Sequence, residues 1–477
     1  MKSSNVQRFI LSVHFVWAFS IMFATYMYVW ATQWTLNPVL PIPYRGRFFV
    51  EQANSMLNGH FWVPKSALPI ECFYIDGKCT GYYGISPSLL RIPFVLIFGR
   101  SIPELNAVFI SIAAGVSLWA ALNLCLRILQ KGPTSDSRRT NAIAMVLVAF
   151  TLGPGSVLLL IFDPYVYQES IMWSVAGVLV AVNLYWRWVN ERRTWQIIGV
   201  AVACACSAGS RPTTAFVALL LLSGIALTLF KERGLHKRTA LGLVALGLLP
   251  LIMSFGVLML KMGTPQQDFS KYQSKAALQN VADNNDGSLS YSARYIPTTM
   301  FTYLRPDALR FTTEWPWIQF RFGPNTETTL ANEKSTELDS ITYLPPLPKN
   351  SMLLERITSL TNIMPLALFA TLFAAVAFLR RRHWHNLLLL AAVGTAPIIL
   401  FVQFSIAARY LADFYPLLAL GTVLSVTLIP EFEKLKVTTR RSLFTVMSLS
   451  IIFSVLAVIM LSVEYAWIYE VDRLTNS

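Results

Sequence analysis

Apolar residues along this chain gather in continuous runs of about 18 or more, each closed off by a short polar segment. Neither the period of two of a half-buried strand nor the one-sided stripe of a surface helix dominates. Wound as helix, a run of that length crosses the roughly 30 Å hydrocarbon layer of a bilayer. The runs fall near 9–31, 103–127, 142–162, 169–186, 196–210, 213–230, 239–262, 357–379, 386–404, 409–429 and 442–465, and they predict about eleven spans. Residues 195–230 are divided because a single helix there would rise about 54 Å. The break is placed at Gly209-Ser210-Arg211-Pro212. Residues 86–98 form a shorter apolar run containing Arg91 and Pro93, which predicts an interfacial or re-entrant helix.

Two long segments remain between the spans, 32–101 and 263–356, the second of them polar. They divide the chain into an N-terminal membrane module (1–262), a loop or small cap (263–356) and a C-terminal group of helices (357–477). The second segment has a turn signal at Asn284-Asn285-Asp286-Gly287 and is rich in Tyr, Phe and Trp between Tyr295 and Phe322. Those aromatics suit an interfacial belt or a packed cap, or a platform for carbohydrate or lipid tails. No repeat of 20–50 residues and no inverted pair of broken spans is evident. The first apolar run is too long for a signal-peptide core and lacks a small-residue cleavage site, so it reads as an uncleaved span.

Composition supports this picture. Of 477 residues, 55% are hydrophobic and 13% charged, and the mean hydropathy is +0.51. The net charge of +14 raises nucleic acid as a partner, but the basic residues form no continuous face. They cluster between spans instead. Segments 1–8, 127–141, 187–194, 231–238, 380–385 and 430–441 hold 20 of the 39 Lys and Arg, which places them in the cytoplasm. The expectation is a multi-pass protein of the plasma membrane with its N-terminus cytoplasmic, its C-terminus extracytoplasmic and both long segments exoplasmic.

No Walker loop, dinucleotide fingerprint, H-E-x-x-H or C-x-x-C motif occurs. Only five histidines are present, so a His-rich metal site is not expected. Candidate chemistry lies in ionisable residues at the predicted outer face, where charge near a span needs a reason. The acids are Glu51, Glu71 and Asp76 in the first long segment, and Asp163 and Glu169 in FDPYVYQES. Arg91, Arg211 and Arg409 are the corresponding cations. Each has a plainer reading. Arg409 and Asp413 are four apart and suit a pair on one helix face, Arg211 beside Pro212 suits a membrane boundary, and Asp163 and Glu169 suit a solvated turn. Cys72 and Cys79 enclose FYIDGK and suit either a disulfide in an oxidising compartment or two separate thiols.

Several stretches together resemble the GT-C superfamily of membrane glycosyltransferases. They are RFFVEQANSMLNGHFWVP after the first span, GYYGISPSLLRIPFVLIFG, the acid Glu169 opening the fourth span, SRPTTAF around Arg211 and RYLADFYP around Arg409. The resemblance implies transfer of a sugar from a lipid-phosphate donor to an envelope acceptor on the outer face. It implies a carboxylate among Asp76, Glu71, Glu51, Glu169 and Asp163 that takes the acceptor's proton or holds a divalent metal. It also implies that Arg211, Arg409 and Arg91 steady the departing phosphate. The family usually carries an acid just after the first span, where this chain reads Tyr44-Arg45-Gly46-Arg47. That departure keeps a non-catalytic envelope assembly partner in view, beside a transporter or flippase of a lipid-linked solute.

The charge bias predicts that a single cysteine introduced at position 285 is labelled by an impermeant thiol reagent in intact cells, and one at position 235 is not. The reverse pattern would invert the orientation.

Overall fold

In the computed structural model, nine helical segments among the described residues are long and apolar enough to cross a bilayer. The described residues are 2–37, 47–68, 72–99, 102–103, 105–131, 138–161, 165–233, 237–262, 291–313, 315–320, 353–354, 357–403 and 405–475. The protein is therefore a polytopic α-helical membrane protein. After a short α1 (Lys2–Ile10), the first span is α2 (Val13–Ala31). An outer helix α3 (Phe48–Leu57), a hairpin of β1 (Phe73–Ile75) and β2 (Lys78–Thr80), and α4 (Ser86–Phe98) follow. Then come α5 (Asn106–Lys131), α6 (Arg138–Leu152), α7 (Val166–Glu191), α8 (Thr194–Ser210), α9 (Ala215–Arg233) and α10 (Lys237–Met262).

Two expected spans differ in length. The one at 196–210 is α8, and the one at 357–379 begins later; each is a 17-residue helix. At about 1.5 Å per residue each rises about 25 Å, slightly less than the hydrocarbon thickness. In the second case the chain forms a short α12 (Leu360–Ile363) and breaks at Met364 before α13 (Pro365–Arg381), because Pro365 opens a helix well but cannot continue one. Before these lie α11 (Ile296–Leu304) and a second hairpin, β3 (Leu309–Phe311) with β4 (Ile318–Phe320). Strand β5 (Leu353–Leu354) pairs in parallel with β6 (Ser405–Ile406).

The remaining helices are α14 (Trp384–Phe401), a 3-10 turn at Ala408–Phe414, α15 (Tyr415–Ser425), α16 (Ile429–Glu433) and a long α17 (Val437–Thr475). Short connections make successive spans antiparallel. The basic clusters consequently collect at one end of the bundle, and the hairpins, α3, α4, α11 and α12 at the other, the loop-bearing end.

Helix α2 packs on α5, α5 on α7, α7 on α8, α9 on α10 and α13 on α15. One continuous apolar core runs from Val16 to Leu461, so the helices before residue 262 and those after 357 share it. Helix α10 is peripheral and mostly exposed, and it turns Leu241, Ile252, Phe255 and Leu260 outward.

Helix ends leave carbonyls without partners, and in a membrane these need protein donors. Gly153-Pro154-Gly155 stops α6, and the Tyr415 hydroxyl crosses from α15 to donate to the Leu152 carbonyl at 2.7 Å. Ser207 Oγ donates to the Ser174 carbonyl at 2.8 Å and lies 2.8 Å from Thr214 Oγ1. This hydroxyl cluster ties α7 to α8 and to the turn that carries Arg211.

The same turn meets the first long segment backbone to backbone. A Cβ at Gly84 would collide with the Gly209 carbonyl, and one at Gly209 would collide with Ser86 Oγ. Only residues without a side chain let these strands of backbone touch. Gly84→Ala should destabilise by about 1–3 kcal/mol through overpacking, seen as a lower thermal midpoint in detergent. Gly256→Ala, where an added Cβ meets nothing within 4 Å, should be close to neutral. Equal effects would refute the close approach.

Candidate functional site

Helix α4 starts right after the Gly84 contact, with Pro87 in its first turn, and one turn later it directs Arg91 into the bundle. The guanidinium is 1% exposed and grips Glu169, which is fully buried, through both carboxylate oxygens at 2.6 and 2.7 Å. Its Nη2 also donates to Asn106 Oδ1 at 2.6 Å, and its plane lies 4.2 Å from the Phe109 ring and 5.2 Å from the Phe49 ring. Planar, delocalised Arg suits such a setting, because two parallel hydrogen bonds and two ring faces together replace its water. The pair joins α3, α4, α5 and α7.

Glu169 is consequently a held carboxylate and not a solvated turn residue, and Arg91 is turned onto it. The sequence shows each near a membrane edge but cannot show that they meet.

A second cluster lies where α8 ends and the 408–414 turn begins. Arg211 Nη2 is 2.7 Å from Asp413 Oδ2, with both side chains largely buried. The guanidinium of Arg211 lies 5.3 Å from the Tyr410 ring, and that of Arg409 lies 4.9 Å from the same ring and 4.7 Å from the ring of Tyr167. Two of the three expected phosphate-binding cations are thus brought to one tyrosine. The pairing of Arg409 with Asp413 on one helix face does not occur, because residues 408–414 form a 3-10 helix. With three residues per turn, positions four apart are about 120° out of line, and Asp413 meets Arg211 from another helix instead.

Tyr167 connects this cluster to the first segment. Its ring is 5.1 Å from Tyr83 and 6.2 Å from Tyr82. The backbone of that segment is held by Lys261, in the last turn of α10, which donates to the Tyr83 carbonyl at 2.5 Å and the Gly81 carbonyl at 3.3 Å. Lys261 is buried and has no carboxylate partner among the described residues. Sequence reasoning passed over it and Asn106. The signal for Lys261 was there, a lone lysine closing a long apolar run at the predicted outer end, against the charge bias.

The other expected acids are dispersed. Asp76 sits exposed at the tip of the β1–β2 hairpin, with a positive φ of 49°, and makes no ion pair among the described residues. Cys72 and Cys79 are joined as a disulfide across that hairpin, and Phe73 and Ile75 pack on Leu258 and Met262 of α10. Glu51 lies half-buried in the first turn of α3. Glu71 and Asp163 lie outside the described residues. Among the described residues no three Asp, Glu, His or Cys side chains gather into a metal-ligand set.

No family model matches the chain, and no curated protein matches it. Among solved structures it is similar to the archaeal oligosaccharyltransferase AglB from Archaeoglobus fulgidus in complex with an inhibitory peptide and a dolichol-phosphate. The TM-score is 0.46 and the identity 13%, over 94% of this chain and 55% of that one. It is also similar to the Archaeoglobus fulgidus oligosaccharyltransferase in its apo form, with a TM-score of 0.48, 15% identity and coverage of 94% and 56%. The same enzyme tethered to an acceptor peptide containing the NVT sequon gives 0.47 and 14%, with coverage of 94% and 55%. The chain spans little more than half the length of these structures.

A buried, bidentate pair is costly to break from one side, because the remaining charge is stranded. Glu169→Gln should therefore lower stability by about 3–5 kcal/mol, read as a fall in thermal midpoint and folded yield. Arg91→Met combined with Glu169→Leu should recover much of that loss. A fully stable Glu169→Gln protein would show that the pair does not hold the fold.

Proposed function

We propose that this chain is a membrane glycosyltransferase that moves a sugar from a lipid-phosphate donor to an envelope acceptor at the loop-bearing face. The observation that carries the reading is the meeting of Arg211 and Arg409 at Tyr410, beside the carboxylate of Asp413. It puts two planar, permanently charged guanidinium groups together at the ends of helices that a lipid donor can approach. In the reaction, the acceptor's hydroxyl oxygen bonds to the anomeric carbon while the carbon–oxygen bond to phosphate breaks. The phosphate leaves with the electron pair, and guanidinium groups already in place lower the cost of that charge.

The acceptor's proton goes to a carboxylate. Glu169 is engaged by Arg91 and Asp413 by Arg211, and the candidates for that role or for holding a divalent metal are Asp76, Glu51, Glu71 and Asp163. The charge bias favours the plasma membrane with the N-terminus cytoplasmic and the C-terminus outside. The engagement of Glu169, with the missing acid after the first span, favours one rival, a non-catalytic assembly partner.

Lipid and envelope-glycan analysis of a strain lacking the chain should show loss of one glycosylated product and accumulation of its acceptor. Complementation with Arg409→Ala should lower the rate of product formation by about 100–1,000-fold at normal protein level. One of Asp76→Asn, Glu51→Gln, Glu71→Gln or Asp163→Asn should lower it by about 100–10,000-fold. Full complementation by all five variants would refute the enzyme reading and leave the assembly role.

A further inference from the structure

At the basic end, far from the cluster just described, three arginines surround one carboxylate without engaging it closely. Glu191, in the last turn of α7, is 3.4 Å from Arg127 of α5, 3.5 Å from Arg187 of α7 and 3.8 Å from Arg193 at the start of α8. The close partner of Glu191 is neutral Gln196, which donates at 2.7 Å. A charge-assisted pair is normally about 2.7–2.9 Å, and the Arg91–Glu169 and Arg211–Asp413 pairs at the other end are as short, at 2.6 and 2.7 Å. Here the guanidinium groups keep most of their donors unspent, and the group carries two positive charges in excess. Neighbouring Arg192 is already engaged by Glu232 at 2.7 Å.

The surroundings point to the occupant. The cluster sits where α5 and α7 end and α8 begins, the depth at which a bilayer's headgroups lie. Beside it, Arg187 lies 4.9 Å from the ring of Trp195, which is half exposed. Trp195, Ile198 and Val202 are all exposed and spaced three and four apart, so they form one apolar face of α8 that runs from the arginines toward the bilayer centre. Cations at headgroup depth, an interfacial Trp and an apolar strip below them match the parts of one lipid molecule.

We infer that Arg127, Arg187 and Arg193 form a binding site for the phosphate of an anionic glycerophospholipid, with one acyl chain lying along Trp195, Ile198 and Val202. The site is separate from the donor cluster and does not depend on the proposed activity.

The test uses the purified full chain in mild detergent, titrated with phosphatidylglycerol, with phosphatidylcholine of the same acyl chains, and with inorganic phosphate. Bound species are counted by native mass spectrometry. Phosphatidylglycerol should bind saturably as one retained molecule, while phosphatidylcholine and phosphate should not. Each lost charge should weaken binding about fivefold, so Arg127→Gln with Arg187→Gln should weaken it about 25-fold. Lys237→Gln with Arg238→Gln, which removes two exposed cations at the same end, should leave it unchanged. An equal loss in that control pair would mean diffuse surface charge and overturn the site. Equal retention of phosphatidylcholine, or saturable binding of phosphate alone, would overturn the lipid assignment. If the double variant does not fold, Arg193→Gln, at the most exposed of the three, should still cost about fivefold, and no loss there overturns the proposal too.

Discussion

Burying a guanidinium and a carboxylate away from water is tolerable only if protein groups replace most of that water. Arg91 and Glu169 do so with two parallel hydrogen bonds, others to Asn106 and the Pro87 carbonyl, and two aromatic faces. Helix α4 is 13 residues long, too short to cross the membrane, and its outer face is apolar. This pair draws it inward against α5 and α7. The position of α4 then decides where the preceding segment lies, because Gly84 and Ser86 rest on the turn at Gly209. The arrangement at the loop-bearing end follows from one desolvated ion pair.

From there a line of rings and cations reaches the far side of the bundle. Tyr83 touches Tyr167, Tyr167 touches Arg409, and Arg409 and Arg211 share Tyr410. Aromatic faces suit this place, since they attract cations without neutralising them. Asp413 pairs with Arg211, and the meeting of two guanidinium groups at one tyrosine is the feature on which the functional reading rests. Lys261 secures the near end of the line by bonding to backbone carbonyls, which fixes the loop without consuming a negative side chain.

The two ends of the molecule treat charge differently. At the loop-bearing end, the Arg91–Glu169 and Arg211–Asp413 pairs are short and buried and join separate helices. At the basic end, the three arginines around Glu191 are longer-range and partly exposed, suited to exchange partners with a mobile anion. In water such pairs would contribute little, but beside hydrocarbon they mark where a headgroup can settle.

What the sequence by itself determined is set by one-dimensional length and composition. Runs such as 103–127 and 239–262 are long and apolar enough to have no home but a bilayer, and the break at Gly209-Ser210-Arg211-Pro212 could be read from length and turn chemistry. Arg211, Arg409 and Glu169 were recognisable because a charge beside an apolar run is expensive and so needs a partner. Which partner each takes was decided only in three dimensions. Asp413 lies four residues from Arg409, yet the tight 3-10 turn swings it away and the hydroxyl-bound turn of α8 brings Arg211 to it. Arg91 and Glu169 are separated by 78 residues, and no local spacing links them. Pairing inside a membrane is fixed by which helices pack together. Packing depends on shape along whole helix faces, and that becomes definite only when the faces meet.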